Sequence, residues 1–128
     1  MNVESIDHIV LTVKNIEVTC DFYTRVLSME ITNFGAGRKA LVFGAQKINL
    51  HEYGKEFEPK AKFPTPGSAD LCFVTVVPIT QVLDHLRIND IKVLEGPVQR
   101  TGALGPVTSV YFRDPDGNLI EVANCESA

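Results

Sequence analysis

The chain has 128 residues, 45% of them hydrophobic and 22% charged, which is the size and make-up of one small globular domain with material for a core. A net charge of −4 without any dense Lys/Arg run argues against nucleic acid or an anionic membrane surface as a partner. No apolar stretch approaches the ~18–20 residues that cross a bilayer, and Met1 to Ser5 has neither a basic nor an apolar leader segment, so a cytoplasmic protein is expected.

In chain order, β-branched and apolar Ile6 to Val13 predicts a buried strand. Asn15 can cap a helix that carries Ile16, Phe22, Tyr23, Val26 and Leu27 on one face. Met29 to Phe34 predicts a strand closed by Gly35-Ala36-Gly37. Ala40 to Phe43 and Lys47 to His51 flank Gly44-Ala45-Gln46 as a hairpin. From Glu52 to Ser68, with Pro59, Pro64, Pro66 and Gly67, a connector without strand or helix is expected.

The pattern then begins again. Asp70 to Val77 predicts a strand, Thr80 to Asn89 a helix with Val82, Leu83 and Leu86 inward, and Ile91 to Leu94 a strand. Gly96 to Pro106 reads as a Gly/Pro-rich loop. Val107 to Phe112 and Asn118 to Val122 read as strands around the turn Asp114-Pro115-Asp116-Gly117. Asp7 to Leu11 parallels Ala69 to Phe73, and Ile48-Asn49-Leu50 parallels Ile120-Glu121-Val122. The expected fold is α+β, two βαβββ modules forming a cupped eight-stranded mixed sheet. Module one covers about 1–52, the connector about 53–68 and module two about 69–128. Neither module could bury its sheet face alone, so two must pack, within one chain or between chains.

Strand alternation sorts the polar residues. Ile48 and Leu50 take the helix side, which turns Asn49 and His51 to the other face; Ile120 and Val122 do the same for Glu121. His8 and Asp70 open equivalent strands. The expectation is that His8, His51, Asp70 and Glu121 converge on one divalent metal: imidazole suits Zn, Ni, Co or Fe, and carboxylate adds Mn. A buried carboxylate without a cation would cost several kcal/mol or be protonated. Taken singly, each of these residues has an ordinary reading, a hydrogen-bonded strand-end His or a solvated carboxylate, and Asp70 could simply terminate its strand. His85 is expected at the surface and Glu52 at the rim. Cys20, Cys72 and Cys125, odd in number and widely spaced, are read as buried small hydrophobes rather than disulfide partners.

Tyr111-Phe112-Arg113-Asp114-Pro115-Asp116-Gly117-Asn118-Leu119-Ile120-Glu121-Val122 resembles the last hairpin of the vicinal oxygen chelate superfamily, which includes glyoxalase I, fosfomycin-resistance proteins and extradiol dioxygenases. Asp7 to Leu11, with Phe22-Tyr23 and Val26-Leu27, resembles its opening strand and helix. Arg38 to Leu41, Lys47 to Glu52, Lys55 to Ala61 and Arg100 to Ala103 are similar to the narrower glyoxalase domain-containing protein 5 type. The resemblance implies paired modules, often a homodimer, with metal ligands on the first and last strands of each module. His8 and Glu121 match ligand positions. Asn49 stands where glyoxalase I has a metal-binding Glu, and Asp70 where it usually has His, so lactoylglutathione lyase activity itself is not what the match predicts.

Three functions follow as expectations. The first is a metal-dependent glyoxalase-like lyase or isomerase acting on a small oxygenated molecule, a thiol conjugate among the candidates. In it Glu121 or Asp70 moves a proton, and Asn49, Arg38 and Arg100 contact substrate, with Lys39 a further rim cation. The second is a non-haem Fe(II) dioxygenase using His8, His51 and Glu121. The third is a protein that binds a small molecule without turning it over.

Overall fold

The computed structural model describes residues 1–126; the final two residues of the second expected module, 127 and 128, lie outside the described residues. The chain divides into two units, with the boundary between Gly67 and Ser68. The first carries β1 (His8–Val13), α1 (Ile16–Leu27), β2 (Glu30–Phe34), β3 (Arg38–Phe43) and β4 (Gln46–Glu52). The second repeats the order with β5 (Asp70–Val74), α2 (Ile79–Ile88), β6 (Glu95–Gly102), β7 (Gly105–Arg113) and β8 (Leu119–Cys125). Each is a βαβββ module, and the fold is α+β.

In the first unit α1 starts where Asn15, in an extended conformation, accepts the Val18 N–H on its side-chain oxygen at 3.0 Å. It ends at Ser28, which turns left-handed at φ 56° while the Ser28 and Met29 N–H groups close back on Thr24 and Tyr23 carbonyls. The face between carries Phe22, Tyr23 and Val26 into a core shared with Leu11, Val13, Leu41, Ile48 and Leu50. The sheet order is β1-β4-β3-β2, parallel only between β1 and β4.

The second unit repeats this arrangement as β5-β8-β7-β6, again parallel only between the first and last strands. Val82 and Leu86 of α2 are buried, as are Val110, Phe112, Ile120 and Val122. Pro78 precedes α2 and has no side chain that can cap it. Asn124 of β8 does this instead: its oxygen accepts the Ile79 N–H at 2.9 Å, and its amide donates to the Thr75 and Val77 carbonyls.

Two expectations fail here, for related reasons. Ile91 to Leu94 is not a strand, and the supposed loop from Gly96 to Pro106 is mostly β6 and the start of β7. Pro97 is accommodated because β6 is the edge strand, where a missing N–H breaks no second ladder, and the register shifts between Glu95 and Val98. Gly96, at φ +118°, lies so close to β7 that a Cβ there would stand 2.5 Å from the Ser109 carbonyl oxygen. Glycine and proline thus mark a bulged edge strand rather than a loop. The cysteine reading holds for Cys20 alone, since Cys72 and Cys125 are exposed. Both lie on the sheet face away from α2, where alternation places residues of even an apolar strand. Among the described residues, no helix is long and apolar enough to cross a membrane.

Candidate functional site

On β8, Ile120 and Val122 are committed to the core, and alternation turns Glu121 to the opposite face. It pairs there with Tyr111 on β7 and Cys72 on β5. Ser109, fully buried and two residues before Tyr111, donates its hydroxyl to Glu121 Oε2 at 2.5 Å, the length of a charge-assisted bond. Asp70 opens β5 opposite Leu119, on the same face and two residues along β8 from Glu121. Desolvation, reinforced by the Glu121 carboxylate, pushes the Cys72 thiol up to about 11, so at neutral pH it is a thiol and not a nucleophilic thiolate. Arg100 is already engaged: Nε donates to the Tyr111 hydroxyl at 3.1 Å, and a guanidinium nitrogen meets Glu95 at 3.0 Å. Its charge is matched within its own unit.

In the first unit, β1 and β4 place His8 beside Lys47, Val10 beside Asn49 and Thr12 beside His51. Asn49 therefore lies two residues past the partner of His8, as Glu121 lies two past the partner of Asp70; the duplication extends to the register. The same register separates the two histidines. They share a face but stand four residues apart, or ~13 Å along the strands, so the unit does not bring its imidazoles together. Alternation sets which face a side chain takes, whereas separation along the strand depends on pairing.

His8 is exposed, and its Nδ1 lies 2.8 Å from Asp7 Oδ2. A carboxylate on one ring nitrogen orients the ring and leaves Nε2 for a ligand, which is how metal-binding histidines are commonly held. Among the described residues, no cluster of three or more His, Cys, Asp or Glu side chains is gathered for a metal ion. Each by itself, His8 in the first unit as an oriented imidazole and Glu121 in the second as a hydrogen-bonded carboxylate, has the donor chemistry that suits a divalent cation.

His51 and Asn49 are different in kind. Both are buried, and His51 Nε2 and Asn49 Oδ1 have no hydrogen-bond partner. Desolvation, then the nearby Arg38 charge, holds His51 below the usual histidine range, so the buried ring is neutral. Because the unfolded chain then binds the proton more tightly, this residue contributes stability above about pH 6.5 that is lost as pH falls through the unfolded value toward the folded one. We expect urea midpoints of the wild type to drop between pH 7 and pH 5, and His51→Gln to flatten that slope. An unchanged slope in the variant would refute the assignment.

His85 is exposed, and Glu52 forms a rim pair with Lys55 at 3.1 Å. Lys39 donates to Asn33. Sequence reasoning missed Ser109, Tyr111, Lys47 and Phe57. The first two alternate with Val110 and Phe112 and so could have been placed on the Glu121 face; Phe57 lies in the connector, where no period marks it.

The residues from 5 to 122 match the family model of the Glyoxalase/Bleomycin resistance protein/Dioxygenase superfamily, and the chain belongs to that family. It is the vicinal oxygen chelate superfamily. Among its relatives, the glyoxalase domain-containing protein RDO1 of Mycosarcoma maydis is 56% identical over the whole chain and 72% of that protein. Virulence protein STM3117 of Salmonella typhimurium is 56% identical over 96% of this chain and 85% of its own. The crystal structure of STM3117 superposes with a TM-score of 0.97 at 55% identity, covering 98% of this chain and all of that one. A lactoylglutathione lyase structure from Agrobacterium tumefaciens, at 20% identity and a TM-score of 0.74 over 97% of this chain and 96% of that one, shares the fold.

Proposed function

We propose that the protein is a metal-dependent lyase or isomerase of glyoxalase type, acting on a small oxygenated molecule, thiol conjugates among the candidates. The observation that carries this reading is the holding of Glu121: a half-buried carboxylate between the core residues Ile120 and Val122 of β8, fixed by a fully buried serine hydroxyl. His8, oriented by Asp7, and Glu121 would hold the ion, with Asp70 as a further donor or proton carrier. The ion, of Zn, Ni, Co, Mn or Fe type, supplies Lewis-acid polarisation of a carbonyl oxygen when bound. The chain's own part is to place a carboxylate that moves a proton between adjacent carbons, and Ser109 keeps that carboxylate in one orientation. Asn49 and Arg38 are assigned to substrate; Arg100, already paired, is assigned to holding Tyr111.

A dioxygenase built on His8, His51 and Glu121 is the weaker reading, since the β1/β4 register sets the two imidazoles four residues apart. A homodimer fits the exposure of Val10 and Val74 on the opening strands, and sedimentation at a monomer's mass would remove it.

The proposed chemistry predicts deuterium wash-in at the carbon beside the carbonyl of hydroxyacetone in heavy water. It should depend on added divalent metal and fall by about 10²–10⁴-fold in Glu121→Gln. Failure of wash-in with all five metals loaded would leave the protein a binder rather than a catalyst.

A further inference from the structure

The first unit holds a cationic, aromatic patch around Arg38, one of the residues assigned above to substrate. Arg38 Cζ lies 5.1 Å from the centre of the Phe34 ring and 4.6 Å from that of Phe57. Lys47 Nζ stands 4.3 Å from the same Phe34 ring centre. Among the described residues, neither cation has a carboxylate partner. Glu56, the carboxylate that acts on His51, is itself committed to the Gly54 N–H at 2.7 Å and to Lys60 at 3.6 Å. Two positive charges are thus drawn to one ring and repel each other, with neither in an ion pair of its own.

Beside them stand the two unpartnered polar groups. His51 packs edge-on to Phe57, with ring centres 5.7 Å apart, and Asn49 lies two residues along the same face of β4. Both side chains are more than nine-tenths buried, and a buried polar atom without a partner costs stability that a ligand group would recover.

From this juxtaposition we infer that the face binds a short dicarboxylate, with Arg38 and Lys47 taking its carboxylates and Asn49 and His51 meeting its hydroxyl or carbonyl groups. A carboxylate fits better than a phosphoryl group, because the site is a sheet face. Its residues, Arg38 on β3 and Lys47, Asn49 and His51 on β4, offer side-chain groups from strands, whereas phosphate is commonly cradled by a helix N-terminus or a run of backbone N–H groups. The guanidinium, with its Cζ 5.1 Å and 4.6 Å from two phenyl ring centres, also carries the planar fork of donors that matches a carboxylate with two parallel bonds. That this ligand is the substrate rests on the proposed lyase or isomerase reading; that it binds does not.

The test is calorimetric titration of succinate, inorganic phosphate and neutral succinamide into the full chain, as purified and after EDTA treatment, with metal content measured alongside. Succinate should bind saturably in both states, succinamide should not, and Arg38→Met and Lys47→Met should each weaken succinate at least tenfold while leaving metal content unchanged. L-malate, which adds to succinate the hydroxyl that Asn49 and His51 would meet, should bind more tightly than succinate and move the His51 ring nitrogen resonance; equal affinity for the two with an unmoved resonance would remove Asn49 and His51 from the site. Phosphate binding as tight as succinate, with the same sensitivity to both variants, would overturn the carboxylate assignment. So would an absence of saturable succinate binding, or binding indifferent to Arg38→Met. A protein that takes succinate but never metal would sink the metal reading alone.

Discussion

His8→Ala and Glu121→Ala are each expected to abolish stoichiometric divalent metal binding, measured by elemental analysis after gel filtration of protein reconstituted with Zn, Ni, Co, Mn or Fe. Each is proposed above as a ligand, and an alanine methyl supplies no donor in place of an imidazole or carboxylate. The residue behind the ligand should matter in proportion: Asp7→Ala frees the ring that its Oδ2 holds at 2.8 Å and should weaken binding by about 10–100-fold. Ser109→Ala should act likewise through Glu121. Circular dichroism of each variant separates lost ligation from lost fold. Undiminished metal in both alanine variants of the ligands would end the assignment.

The second large effect concerns stability. Asp114 is buried, and its Oδ1 accepts the Asp116 and Asn118 N–H groups at 2.9 Å each. Its Oδ2 accepts the Asn118 side-chain amide at 2.8 Å. Asn118, also buried, in turn accepts the Ala69 N–H at 2.8 Å on its own side-chain oxygen, tying the β7–β8 turn to the residue before β5. Asp114→Ala would strand three donors in a place water reaches poorly, at a cost of about 3–5 kcal/mol. Thermal unfolding should fall by about 10–20 °C, a large share of what a domain of this size has to lose. Asp114→Asn, which keeps one acceptor oxygen, should fall less. A drop of only a degree or two in the alanine variant would show that the turn does not depend on this carboxylate.

The same turn shows how far the sequence could be read. Asp114-Pro115-Asp116-Gly117 announces a reversal because Pro presets φ, Gly117 tolerates its φ of +88°, and Asp can bond the backbone ahead of it. Those are local properties. That Asn118 reaches back to Ala69, 49 residues earlier, was not legible, since nothing near Asn118 encodes the presence of β5 beside it. Gly96 and Pro97 were misread for the same reason: whether such residues make a loop or a bulged edge strand depends on which strand lies alongside.

Local order in the chain was enough to determine the module and its repetition, the capping of α1 at Asn15, and which face Glu121, Asn49 and His51 take. Each of these follows from φ preferences, hydrogen-bond valence and a period of two or 3.6 residues. Tertiary pairing alone decided the remainder. It set His8 and His51 four residues apart on paired strands, gave Glu121 its buried serine, paired Arg100 with Glu95, and brought Arg38 and Lys47 to one Phe34 ring. The physical reason is that register and partnership join residues tens of positions apart, where no sequence period reaches.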